Sequence, residues 1–396
     1  MNTRRELLRH ALAASALWPW AQLSLAQAPA AADAPRFVLV ILRGGLDGLT
    51  AAPVIGDPAF AEARGALAQF AGEPLPLQGP FALNPLLPQL HGLYSRGEMA
   101  VLHAVGLPYR ERSHFDAQQV LESGGSRPHE ITTGWLGRAL AARGGNAPAI
   151  KAVALETAVP LVLRGPVDVD TWAPSTLPEP GAELVTRLEM LYRDDPALAQ
   201  ALARARGLRA EPGMAEGLSG RSGAGRNAAQ ALAAKAAEFL QRGSQVAVLE
   251  MGGWDSHANQ AAPNGATSNN LRTLDAALAA LYQGLQAGGL WQRSVVLVAT
   301  EFGRQVGING TQGTDHGSGG AAFVLGGAVR GGQVISDWPG LATKDRFEGR
   351  DLRITTDLRA VWRGILGQHL QVPRAALDAT VLPGSAGLPR LDLLRS

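Results

Sequence analysis

Five short apolar runs punctuate the chain: Arg36–Leu42 (RFVLVIL), Met99–Val105, Gln245–Leu249, Val295–Val298 and Ala321–Leu325. Each is nearly continuous rather than alternating, and several are β-branched, which predicts strands buried on both faces. Ile150–Leu155 and Leu161–Leu163 read as further short strands. Helical patterns fall between them, over Asn84–Ser95, from Ser113 through Leu121, and over Gly134–Arg143, Ala182–Leu208, Asn227–Leu240, Thr267–Gln286 and Thr355–Leu370. Strands alternating with helices predict an α/β fold. Residues 53–98 are rich in Pro and Gly. Residues 164–225 end in EPGMAEGLSGRSGAGR and read as an insertion or cap on the main domain, and no internal repeat is visible.

Composition changes this picture at the N-terminus. Thr3-Arg4-Arg5-Glu6-Leu7-Leu8 resembles a twin-arginine signature, a mildly apolar alanine-rich segment follows, and Ala26-Gln27-Ala28 offers a small-residue cleavage site. The expectation is a signal peptide over 1–28, too short in its apolar part to span a membrane, and an α/β domain over 29–396. Removing 1–28 takes away Arg4, Arg5, Arg9 and Glu6, so the formal net charge falls from +2 to 0. That balance gives no support to nucleic-acid or membrane-surface binding. Hydrophobic residues make up 46% of the 396 positions, enough for a substantial core. There is no cysteine, which excludes disulfides, thiolate metal sites, a cysteine nucleophile and a lipoprotein anchor. Any metal is left to carboxylates and imidazoles.

Such ligands occur where the strands end. Arg36–Leu42 runs into Arg43-Gly44-Gly45-Leu46-Asp47-Gly48. Asp47 reads either as a turn residue, since Asp-Gly favours turns, or as a carboxylate at the ligand-binding end of a core strand. Gln245–Leu249 releases Gly252-Gly253-Trp254-Asp255-Ser256-His257, and residues two apart in an extended segment share a side. The stretch between Val298 and Ala321 holds Glu301, Arg304, Asp315 and His316 among seven glycines. The three aspartates Asp47, Asp255 and Asp315 with the imidazoles of His257 and His316, without thiolate, suit one or two divalent ions. Two ions about 4 Å apart clamp the attacking and leaving oxygens of phosphoryl or sulfuryl transfer. After Met99–Val105 comes PYRERSHFD. Ser113 reads there as a helix cap, with Asp116 at capping-box spacing, or as a nucleophile at a helix start; Arg110 and Arg112 suit an anionic substrate. His369, in a helical tail, reads as structural.

The motifs LRGGLDGL, SHFDAQ, GGWDSHANQ, TEFGR, GTDHGSGG and LGGAVRGG, behind a twin-arginine leader, resemble a bacterial exported family known as domain of unknown function fifteen-oh-one. The resemblance covers nearly the whole mature chain. It implies the alkaline phosphatase and sulfatase superfamily, and so an alkaline-phosphatase-like mixed central sheet flanked by helices, with a two-metal site at strand ends. Carried over by position, Asp47, Asp315 and His316 would serve one ion and Asp255 with His257 the other. His114 and Glu301 are further candidate ligands, and Ser113 lies where the superfamily keeps its nucleophile. The sulfatase Cys/Ser-x-Pro-x-Arg motif is absent, and the Asp255–His257 spacing is shorter than in alkaline phosphatases. The implied function is an exported metal-dependent hydrolase of phosphate or sulfate esters. Its cofactor would be a divalent metal, two ions of the Zn, Mn, Mg or Ca kind. Its partners would be a small-molecule or polymer ester and, during export, the twin-arginine translocase, with no nucleic acid and no membrane anchor. A non-catalytic exported binding protein with a degenerate metal site is the alternative.

Overall fold

A computed structural model describes residues 34–143, 151–174, 182–209 and 224–395. The expected signal peptide lies outside these residues, as does most of the EPGMAEGLSGRSGAGR stretch. Nine strands form one mixed sheet: β1 (Arg36–Leu42), β2 (Met99–Gly106), β3 (Ala152–Ala154), β4 (Val169–Thr171), β5 (Val246–Met251), β6 (Ser294–Thr300), β7 (Gly320–Leu325), β8 (Gln333–Ile335) and β9 (Thr356–Asp357). Their order is β8-β2-β7-β6-β1-β5-β3-β4, with β9 also pairing β2. The helices that matter for the site are α1 (Gly48–Ala51), α2 (His114–Ser123), α3 (Ala224–Gln241), α4 (Ala266–Ala287) and α5 (Leu358–Gln368).

The continuous apolar run of β1 follows from its place. It pairs in parallel with β5 on one side and β6 on the other. Its side chains alternate between two cores, as a period of two requires. Phe37, Leu39 and Ile41 face Leu121, Trp135 and Trp362, whereas Val38, Val40 and Leu42 face Ala236, Leu278 and Leu281. Each such side chain contributes about 1.5–3 kcal/mol by leaving water. Helices therefore cover both faces, and the mixed α/β sheet flanked by helices is as expected.

β7 is antiparallel to both β6 and β2. This reversal matters for function. The start of β7 lies at the same sheet edge as the ends of β1, β2, β5 and β6, so residues before β7 meet residues after the other four strands.

Two expected elements differ. Leu161–Leu163 is a 3₁₀ turn, with Leu163 N donating to Pro160 O at 3.1 Å and Arg164 N to Leu161 O at 2.9 Å. The helix expected over Ala182–Leu208 is two, Ala182–Leu191 and Pro196–Arg209. Pro196 lacks an N–H and starts the second, whose first turn is capped by Asp195 Oδ1 accepting from Ala197 N at 3.0 Å.

Candidate metal centre

Three histidines and one aspartate meet at this edge. His114 is the first residue of α2, Asp255 and His257 follow β5, and His316 precedes β7. His316 Nε2 lies 3.0 Å from His114 Nε2, 3.1 Å from His257 Nε2 and 3.0 Å from Asp255 Oδ1. Asp255 Oδ1 is also 2.8 Å from His257 Nε2 and 3.4 Å from His114 Nε2. Ligand atoms of His114, Asp255 and His316 all lie within 4.8 Å of one another, and His257 adjoins that trio through two of its members.

The other nitrogen of every ring is engaged. His114 Nδ1 lies 2.9 Å from Glu301 Oε1, His257 Nδ1 3.2 Å from Asp315 Oδ1, and His316 Nδ1 2.9 Å from the Arg112 carbonyl. Each Nδ1–H donating outward leaves an Nε2 lone pair pointing inward, the arrangement of metal-ligating histidines. Imidazole nitrogens carrying lone pairs have no reason to sit 3 Å apart unless a proton or a cation lies between them. The donors present thus fit a divalent ion.

Electrostatics sharpen the arrangement. Burial pushes the Asp255 carboxyl up, but hydrogen bonding and charge from Arg304, with the histidines, hold it well below the usual carboxylate range. Arg304 is 2% exposed and donates from Nη1 to Asp255 Oδ1 at 2.6 Å, with Nη2 bonded to the carbonyls of Ser256 and Thr314. The hydrogen bond with Glu301 raises His114, while burial lowers His316. Glu301, 1% exposed, also accepts from Gly44 N at 2.8 Å, Gln118 Nε2 at 3.1 Å and Thr300 Oγ1 at 2.9 Å. Burial pushes its carboxyl up, but the hydrogen bond with His114, and then those from Gln118 and Gly44, keep it below its ordinary value.

The structure places the remaining expected site residues differently. Asp47 is not drawn into the centre. It caps α1, accepting from Leu49 N at 3.0 Å, and its other oxygen takes Thr50 Oγ1 at 2.7 Å, Arg64 Nη2 and Gln260 Nε2. Burial opposes its charge, yet Arg64 and these donors keep its carboxyl low, and Arg64 is itself fully buried. Asp315 stands behind His257, and Glu301 behind His114, as orienting partners. Among the described residues, the histidines and carboxylates brought together as one possible ligand group are those of His114, Asp255 and His316, with His257 adjoining. Ser113 is the N-cap of α2, its Oγ accepting from Asp116 N at a loose 3.5 Å; Asp116 takes the Tyr109 hydroxyl at 3.1 Å instead of closing a capping box. Arg112 pairs with Asp351 at 2.7 Å and Glu348 at 2.6 Å, so its guanidinium is already occupied by carboxylates. Arg110 lies 5.9 Å from the Phe347 ring centre.

Among solved structures similar in fold is a sulfatase from Pseudoalteromonas sp., 15% identical, covering 91% of this chain and 71% of that one with a TM-score of 0.41. A phosphonate monoester hydrolase of Agrobacterium radiobacter is 11% identical over 84% and 74% of the two chains, TM-score 0.41. The zinc-complexed C-terminal periplasmic domain of EptC from Escherichia coli is 9% identical over 74% and 73%, TM-score 0.33. At these identities and scores nothing about activity carries across. No curated protein matches the sequence. The matched family model, described as protein of unknown function (DUF1501), spans residues 96–380 and takes in His114, Asp255, His257 and His316, so the chain belongs to that family.

Proposed function

We propose that His114, Asp255, His257 and His316 hold one divalent ion and that the chain is an exported hydrolase of phosphate or sulfate esters. The observation that carries this reading is the mutual approach of His114, His316 and Asp255 ligand atoms, with His257 Nε2 against two of that trio and each ring oriented by its own outer partner. A donor set dominated by imidazole suits zinc over magnesium or calcium, which prefer oxygen. Such an ion, when bound, supplies a Lewis acid for an ester oxygen and lowers the pKa of water at its open position. The chain's residues do the rest. Arg304 anchors Asp255, Glu301 and Asp315 fix the His114 and His257 rings, and Ser113, which caps α2 one residue before His114, is the nucleophile of this reading. Arg110 has no carboxylate partner within ion-pair distance among the described residues and is left to meet an anionic ester.

The test is metal analysis of zinc-loaded protein beside hydrolysis of chromogenic phosphate and sulfate esters, in wild type and His316→Ala. The reading expects about one ion per wild-type chain, ester hydrolysis, and loss of both in the variant. Metal without turnover of any ester would leave the non-catalytic binding protein as the better reading; no metal would remove the centre.

Export through the twin-arginine translocase to the periplasm belongs to the same proposal and rests on Arg4-Arg5. No helix among the described residues is long and apolar enough to cross a membrane. Replacing both arginines by Lys should strand the protein in the cytoplasm, and normal periplasmic recovery would refute that route.

A further inference from the structure

One buried carboxylate gathers the groups that hold His316. Asp351, between β8 and β9, is 0% exposed. Its Oδ2 accepts from Arg112 Nε at 2.7 Å and from Ser318 Oγ at 2.9 Å, and its Oδ1 accepts from Arg350 Nη1 at 3.1 Å. A carboxylate is an acceptor only, with room for several donors, so one aspartate can tie three side chains together. All three belong to the surroundings of a single ring. The Arg112 carbonyl takes His316 Nδ1 at 2.9 Å, Arg350 Nη2 donates to the His316 carbonyl at 2.9 Å, and Ser318 follows His316 by two positions.

The backbone shows why such an anchor is needed. Arg112 has φ +61°, in the left-handed region that residues other than glycine, asparagine and aspartate seldom occupy. A return to negative φ would re-aim its carbonyl, the group that meets His316. Its side chain is fixed against that return by two carboxylates. Glu348 lies on the surface, where water screens an ion pair. Asp351 is sealed from water, and removing one partner of a buried pair is strongly disruptive. We infer that Asp351 is a positioning residue for the metal centre, holding Arg112 in its left-handed conformation so that the Arg112 carbonyl keeps the His316 proton on Nδ1 and leaves Nε2 free for a cation. This rests on the metal-centre reading above and adds to it a residue that is not itself a ligand. A purely structural role for Asp351 would affect stability and nothing else.

The variant is Asp351→Asn, which keeps the size of the side chain but turns an N–H toward donors that approach from both sides. Two readouts are taken on the full protein: zinc affinity by competition with a chromogenic chelator, and the His316 tautomer by nitrogen NMR of zinc-free, histidine-labelled protein, its signal assigned by its loss in His316→Gln. Zinc affinity should fall about tenfold, the low end of the cost of losing an outer partner of a ligating histidine. The single Nδ1–H form of wild-type His316 should give way to a mixture of both tautomers. Arg112→Lys keeps the charge at a partly exposed position but loses the Nε donor, and it should move both readouts the same way even if Asp351→Asn does not fold. Asp275→Asn removes a buried carboxylate that accepts from Gln89 N at 3.2 Å and Leu90 N at 3.0 Å; it should lower the melting temperature and move neither readout, which separates loss of stability from loss of aim. Were wild type to bind no zinc, the centre itself would fall and the tautomer alone would decide this inference, so the two failures are distinguishable. Unchanged zinc affinity in a folded variant, or in that event an unchanged tautomer, would overturn it.

Discussion

Glu301→Gln isolates the part of the centre that the geometry makes most specific. Gln is nearly isosteric, so its amide oxygen can still accept from His114 Nδ1, Gly44 N and Gln118 Nε2, which reach Glu301 Oε1 at 2.9, 2.8 and 3.1 Å. Its amide nitrogen would replace Oε2 beside Thr300 Oγ1, a hydroxyl that can also accept. The fold should therefore persist. What disappears is the negative charge that raises the basicity of His114. Loss of an outer partner of a metal-bound histidine costs about 10–100-fold in metal affinity, or about 1.4–2.7 kcal/mol. Competition with a chromogenic chelator at fixed pH reads this directly, with zinc as the probe. Unchanged zinc affinity in a folded variant would refute the orienting role. Complete loss of zinc would show that Glu301 is itself a ligand.

Three further outcomes test neighbouring features. Ser113→Asn preserves the cap on α2, since Asn caps about as well as Ser, but removes the hydroxyl; if Ser113 is the nucleophile, turnover of the best ester falls roughly a thousandfold, whereas near-normal turnover reduces it to a cap. Asp47→Asn should leave zinc stoichiometry intact while costing about 3–5 kcal/mol of stability, because Arg64 is left buried without its anion; metal loss with stability unchanged would return Asp47 to the centre. Burial holds His103 and His369 neutral, each with its pKa lowered to about 4, so the unfolded chain takes up protons near pH 6.5 before the folded chain does. Their stabilisation is complete above pH 6.5 and declines as the pH falls toward 4, by up to about 3 kcal/mol per histidine. Urea unfolding at pH 7.5 and 5 should show that decline, and His103→Gln should remove about half of it; a midpoint independent of pH would contradict the burial argument.

Much of the fold was legible because the central strands are buried on both faces. Arg36–Leu42 coincides with β1, since a strand paired on both sides and covered by helices must be apolar throughout. The direction of β7 was not legible. An apolar run carries no arrow, yet that direction brings His316 to the other donors. The site was legible as residue types at strand ends, not as a partition between ions. Asp47 was read as turn or ligand, and what decides its role is Arg64, from a Pro/Gly-rich region whose pattern gave it no task. His114 was overshadowed by Ser113 because a histidine at a helix start carries no period or spacing of its own. What the glycines after Glu301 are for is not written in the sequence: a Cβ on Gly303 would lie 1.8 Å from Gly319 O, and one on Gly317 would lie 2.5 Å from Arg304 O. Those positions are glycine because backbone passes against backbone there, so the loop carrying Asp315 and His316 is packed rather than slack.

The donors of the centre are widely spaced along the chain: His316 lies 202 residues from His114 and 61 from Asp255. A zinc finger can form on a short peptide as it leaves the ribosome; this centre cannot. It requires β2, β5 and β7 to be paired in their final order, so it is among the last features a growing chain can complete. Long-range pairing of this kind is slow to form. On the proposed function, metal affinity doubles as a gauge of whole-sheet assembly, and a truncation ending before His316 should have no tight zinc site however well its earlier strands have folded.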